Sequence, residues 1–193
     1  IGPIASVVGL TRTFAPLRTD RDGERVPADV EDAAVFLAEF APGVGVEQGT
    51  IASFDLSKVA KGREKGGHGL DEFEVYGTEG TFIYHLHRPH EVLVGRPDGS
   101  LETIAVPRDL LVYPGSPRDP DVGEPTVTFR YDQDFAFIQA ILGGTHHHHI
   151  PTFYDGMRCQ AVIDAVLQSS QERRWVDVAD VPAVTVPLAA VNQ

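Results

Sequence analysis

The sequence holds one cysteine, one methionine and one tryptophan in 193 residues. A lone Cys159 excludes an internal disulfide and a cysteine-based zinc site, and it fits a reducing, cytoplasmic setting. No run approaches the ~18 consecutive apolar residues of a membrane-spanning helix, so no membrane is expected as a partner. The opening Ile1-Gly2-Pro3-Ile4 has no starting Met and no basic segment leading into an apolar one, the pattern of a secretion signal. The chain therefore reads as processed, or as cut from something longer. Basic residues are scarce: 16 Lys and Arg face 28 Asp and Glu, for a net charge of −12. That balance argues against nucleic acid as a main partner. There is no internal repeat, and the one low-complexity segment is the histidine run 146–149. Hydrophobic residues make up 42% and charged residues 23%, enough for a packed core in one domain with a short extension.

Residues 4–14 are rich in β-branched and aromatic residues and predict a strand. Residues 15–29 predict a loop. Ala33 to Phe40, a Pro42-Gly43 turn and the run Val44 to Leu56 predict a hairpin. Residues 57–70 predict a basic, glycine-rich loop. Glu72–Tyr76 and Thr81–His87, joined by Gly77-Thr78-Glu79-Gly80, carry the strongest hairpin signal. Two further strands, 91–96 and 101–106, join through Pro97-Asp98-Gly99. Five prolines in 107–125 predict a long loop. Tyr131, Phe135, Ile138 and Leu142 predict a helix that Gly143-Gly144 ends. Val162, Ile163, Val166 and Leu167 form the apolar stripe expected of a second helix, with Asp155 as its cap. Trp175 to Val178 predicts a short strand. Strands come first, then helices, with no strand–helix alternation. The expected class is α+β, a predominantly antiparallel open sheet with two main helices on one face.

Several motifs invite chemistry. Gly43, Gly45 and Gly49 resemble a dinucleotide-binding loop, but that loop must leave a strand and open a helix, and here it joins two strands. Cofactor binding is therefore not expected from it. Lys58, Lys61, Arg63, Lys65 and His68 fall within eleven positions of a glycine-loosened loop, the one clear basic cluster. Such a loop can reach over a polar or anionic ligand. His85 and His87 share a strand face, with His90 close by, but lack a recognisable third ligand, so no metal is expected. Cys159 reads as a packing residue. No Gly-x-Ser-x-Gly elbow is present.

Taken in order, several segments resemble the C-terminal domain of the Gfo/Idh/MocA family of NAD(P)-dependent sugar and polyol oxidoreductases. Gly2-Pro3-Ile4-Ala5-Ser6-Val7 is similar to the family's first sheet strand, and Asp32 to Leu37 to the next. Phe73-Glu74-Val75-Tyr76-Gly77-Thr78-Glu79-Gly80-Thr81 is similar to its F-E-x-x-G-x-x-G-x hairpin. Pro151 to Arg158, Val162 to Leu167 and Trp175-Val176 are similar to its closing helix and edge. The resemblance covers residues 1–178 and leaves 179–193 as a C-terminal arm. The family's Rossmann domain, its Glu-Lys-Pro motif with the catalytic lysine, and the Asp/His pair before the sheet are not here; Glu64-Lys65-Gly66 is not that motif. The resemblance implies a substrate-side and oligomerisation domain that forms homo-oligomers through its open sheet face. No catalytic residue is assigned. NAD or NADP would be held by a Rossmann domain in the same or a separate chain, and none by this chain alone. Arg12, Lys58, Lys61, Arg63 and His68 are expected to line the side facing a sugar or polyol. The alternative is a stand-alone, non-catalytic sugar-binding or assembly module.

Overall fold

The computed structural model describes residues 2–43, 46–60, 71–123, 125–143 and 150–182. Its elements in chain order are β1 (Ile4–Arg12), β2 (Leu17–Thr19), β3 (Arg25–Pro27), β4 (Ala33–Phe40), β5 (Ile51–Ser57), β6 (Glu72–Gly77), β7 (Gly80–His85), β8 (Glu91–Gly95), β9 (Leu101–Ala105), α1 (Pro125–Gly143), α2 (Phe153–Glu172) and β10 (Val176–Asp177). The class is α+β, and the named strands pair antiparallel. The strands are shared between two four-stranded sheets and a β2–β3 hairpin, a division the sequence reading did not anticipate. Two compact units result, Ile1–Ala60 with Pro151–Gln193 and Lys61–Ile150, and each carries one helix. Among the described residues no helix is long and apolar enough to cross a membrane.

In the first unit the sheet order is β10-β1-β4-β5. Strand side chains alternate between faces. Val7, Phe36, Ala38 and Phe54 fall on one face and meet Val162, Ala165 and Val166 of α2 in the core. Phe36 and Phe54, opposite each other in the register, stack with centroids 4.5 Å apart. Gly9 faces Phe36, whose Cβ leaves no room for a side chain at that position. Val8, Leu10, Val35, Leu37 and Ile51 take the opposite face, where Leu10, Val35, Leu37 and Ile51 are exposed.

Helix α2 is capped by Thr152, not Asp155. Thr152 accepts from the Asp155 amide, and the Asp155 carboxylate reaches back to the Thr152 amide. Asp155 is thus the third residue of a capping box. The buried stripe is Ala165, Val166 and Ser169, with Val162 partly buried beside it; Ile163, expected within it, lies half in solvent. Positions three and four apart share a face whereas neighbours do not. The stripe therefore continues through a serine, not through the adjacent Ile163. Strand β10 pairs with β1 only at Ser6 and Val7. Beyond that point the Gly9 and Thr11 amides donate to the Ser169 and Ser170 hydroxyls at 3.0 and 2.9 Å. Two serines thus satisfy an edge that another strand would otherwise have to cover.

In the second unit the order is β6-β7-β8-β9. Gly77 pairs with Gly80, so the ladder closes to a two-residue Thr78-Glu79 turn. A Cβ on Gly80 would collide with the Gly95 carbonyl. Gly99 has φ +84°, the left-handed value its turn needs. Phe73, Phe82 and Tyr84 share one face as an aromatic cluster. The register puts Val94 opposite Phe82, on that face and away from Ile83. Helix α1 buries Ala136 and half-buries Phe135 and Asp132, while Tyr131, Ile138 and Leu142 of the expected stripe are exposed. Apolar residues surround α1, so its sequence does not single out one face.

Candidate functional site

The sheet of the first unit ends at the rung Arg12–Ala33–Ser57, where β1 leaves, β4 enters and β5 leaves. Asp32 stands immediately before that rung. It is 5% exposed, the one buried charged residue among those described. Its amide donates to the Arg12 carbonyl at 2.8 Å, and its carbonyl accepts from the Lys58 amide at 2.7 Å. Its side chain accepts from the Ala15 amide at 2.7 Å through one oxygen and pairs with the Arg18 guanidinium through the other. The hydrogen bond from Ala15, with those from Phe14 and Arg18, holds the Asp32 carboxyl below the ordinary carboxylate range against the opposing effect of burial.

Arg12 and Lys58 therefore come to one end of the sheet, both exposed. The Arg12 guanidinium donates to the Thr11 carbonyl at 2.6 Å. Lys61, Arg63 and His68 lie outside the described residues. Arg18 and Asp32 were missed as site residues. Residues 15–29 read as featureless loop, whereas Leu17–Thr19 and Arg25–Pro27 form a hairpin that carries Arg18 to Asp32. The available signal was the acidic pair Glu31-Asp32 placed directly before an apolar strand.

The second unit holds a cleft of about 270 Å³ whose walls include Tyr84, Leu86, Leu110, Phe129, His90 and Arg118. Arg118 is fastened to Asp132 at 2.6 and 2.9 Å and to the Leu111 carbonyl at 2.5 Å. Burial works to raise the Asp132 carboxyl, but the hydrogen bonds of Arg118 and Ser116 outweigh it and hold the group low. Burial pushes the Tyr84 phenol up. This network fixes α1 to the preceding loop and leaves the cleft mainly apolar. His85 sits 2.8 Å from Glu72, and His87 3.0 Å from Asp71. Among the described residues no three His, Cys, Asp or Glu side chains converge as metal ligands. Cys159 is exposed, which corrects its reading as a packing residue.

Gly43 and Gly49 lie between β4 and β5, and no helix starts there. The segment from Gly43 to Gly49 therefore does not have the strand-to-helix setting of a dinucleotide-binding glycine loop.

Comparison with known proteins agrees with this architecture. The profile of the "Oxidoreductase family, C-terminal alpha/beta domain" of Gfo/Idh/MocA proteins matches residues 2–178. Levoglucosan dehydrogenase of Pseudarthrobacter phenanthrenivorans is 25% identical over 206 aligned residues, 95% of this chain and 48% of the relative. The solved structure of levoglucosan dehydrogenase with NADH and L-sorbose superposes with a TM-score of 0.69 at 24% identity, covering 94% of this chain and 46% of the other. An oxidoreductase domain protein from Kribbella flavida gives 0.67 at 25% identity, covering 92% and 45%. The chain spans about half the length of the relatives it matches. Sheet, closing helix and matched residues together make this chain a member of the Gfo/Idh/MocA oxidoreductase family, corresponding to its C-terminal alpha/beta domain.

Proposed function

We propose that this chain is the substrate-side and oligomerisation domain of an NAD(P)-dependent sugar or cyclitol oxidoreductase. The observation that carries the reading is the family match over residues 2–178. The similarity to levoglucosan dehydrogenase supports a sugar as substrate and a nicotinamide cofactor. NAD or NADP would be held by a Rossmann domain in the same or a separate chain. On this reading the hydride step belongs to that domain, and the chain alone is expected not to carry out transfer. Its own contribution is to bind and orient the sugar, with Arg12 and Lys58 at the sheet end donating charged hydrogen bonds to ring oxygens. Lys61, Arg63 and His68 follow Lys58 in sequence and are included in this reading. Residues 1–178 form the domain and 179–193 an arm; the Tyr154 hydroxyl donates to the Val181 carbonyl at 2.9 Å, which supports an arm that starts along α2. The single cysteine fits a cytoplasmic setting.

Self-association is proposed through the sheet face opposite α2. Leu10, Val35, Leu37 and Ile51 are each 45–66% exposed there, with Glu39, Ser53 and Asp55 between and beside them, and exposed apolar groups of this kind mark contact surfaces. The other candidate surface is the Ile83 face of β7. The β7–β8 register moves Val94 to the Phe82 face, so the first unit's sheet is the better-supported surface.

The test is to follow nicotinamide absorbance in the full-length protein with NAD⁺ or NADP⁺ and a panel of neutral sugars, cyclitols and sugar acids. Reduction with at least one of them is expected; reduction with none overturns the reading. Light scattering is expected to give a multimer that Leu37→Glu dissociates, and a monomeric wild type removes the oligomerisation half.

A further inference from the structure

We propose that Arg18 is a ligand-binding residue at this sheet end, recognising a vicinal oxygen pair of a sugar, either a diol or a carboxylate, and that Asp32 is the positioning residue that holds it. The proposal deepens, and rests on, the reading of this chain as the substrate side of a sugar oxidoreductase. It starts from a division of labour on one carboxylate. Asp32 gives one oxygen to the Ala15 amide and the other to Arg18. A purely structural Arg–Asp pair gains most by a two-point fork, with both carboxylate oxygens on the guanidinium. Here the second oxygen is turned to the Ala15 amide, and the contact uses a single guanidinium nitrogen, Nη2. A guanidinium carries five N–H donors in one plane. Arg18 makes no other hydrogen bond among the described residues, and its side chain is 39% exposed, against 4% for Asp32. It is an anchored cation with donors left over.

The surroundings fit a binding role. Through its main chain Asp32 also holds the backbone of Arg12 and Lys58, so the residues it contacts include three basic ones in a chain where acids otherwise dominate. The Ala15 contact pins the turn between β1 and β2, and the β2–β3 register from Leu17–Pro27 to Thr19–Arg25 stiffens the strand that presents Arg18. A pre-held guanidinium loses little freedom when a ligand arrives, which favours binding.

The experiment is calorimetric titration of the full-length protein with D-glucuronate and D-glucose as probes. Wild type is expected to bind at least one. Arg18→Lys keeps a cation beside Asp32 but removes the planar fork. It should weaken binding about tenfold while the melting temperature moves by a few degrees at most. Asp32→Asn should weaken binding comparably although it does not touch the ligand, and Asp32→Glu should restore part of the loss. A loss confined to glucuronate assigns carboxylate recognition, and an equal loss for both probes assigns the diol. Wild type binding neither probe overturns the proposal, as does Arg18→Lys binding like wild type. A sugar oxidised with NAD(P)⁺ at unchanged KM by Arg18→Lys refutes this inference and leaves the proposed function standing. Probe binding lost in Arg18→Lys, with no sugar oxidised, does the reverse.

Discussion

Ser169→Ala is the most telling single change in the first unit. Ser169 is fully buried, accepts from the Gly9 amide at 3.0 Å and donates to the Arg174 carbonyl at 2.6 Å. Alanine fills nearly the same volume, so packing is kept and the loss is polar. Two hydrogen bonds at about 1 kcal/mol each disappear, and two backbone groups are left short of partners at about 1 kcal/mol or more apiece. Gly9 is only half-buried and regains some water, and alanine returns a few tenths of a kcal/mol in helix propensity. The net expectation is a loss of about 2–3 kcal/mol. For a chain of this size that lowers the melting temperature by roughly 5–10 °C. Ser170→Ala is the control: Ser170 is half-buried and its main contact is the Thr11 amide, so it should cost about 1 kcal/mol or less. Thermal melting of both variants, with hydrogen exchange read at Gly9 and Thr11, makes the comparison. Faster exchange should be confined to Gly9 in the first variant and to Thr11 in the second. Equal melting losses, or an unchanged Gly9 exchange rate, would refute the idea that serine hydroxyls stand in for a missing strand.

Arg173 ends α2 in the left-handed conformation at φ 58°. Arg173→Gly is therefore expected to stabilise by about 0.5–1 kcal/mol, read as a raised denaturant midpoint at unchanged slope. Thr152→Ala removes the capping box and should cost about 1 kcal/mol, visible as faster exchange in the first turn of α2. The Asp32 carboxyl lies below its unfolded value of 3.8. Its contribution is therefore complete above that value and disappears as pH falls through the lower folded one. Acid titration followed by circular dichroism should show a loss of stability below about pH 4, and Asp32→Asn should flatten it.

The hairpin Glu72–His85, the Gly99 turn and the helix ending at Gly143 were legible in the sequence because their causes are local. Turn glycines, caps and strand alternation act within a few residues, and they operate wherever the segment sits. The fold class followed from the order of those elements, and the family from the same segments in series. Arg12 and Lys58 were grouped as basic residues expected to line one side, but the contact that puts both at one sheet end is a product of the β1–β4–β5 register. Ser169 offered no local sign that it belonged in the core. Its hydroxyl becomes a core group only when β1 runs past β10 with amides to satisfy. Asp32 and Arg18, fourteen positions apart, meet because a short hairpin folds the intervening chain back. The burial of α1 was misjudged for the complementary reason: a helix apolar on most sides leaves its partner, not its pattern, to choose the face. Local propensity thus specifies which elements form. Which polar groups must share one buried place is decided by desolvation, and that acts only once distant strands and helices have come together.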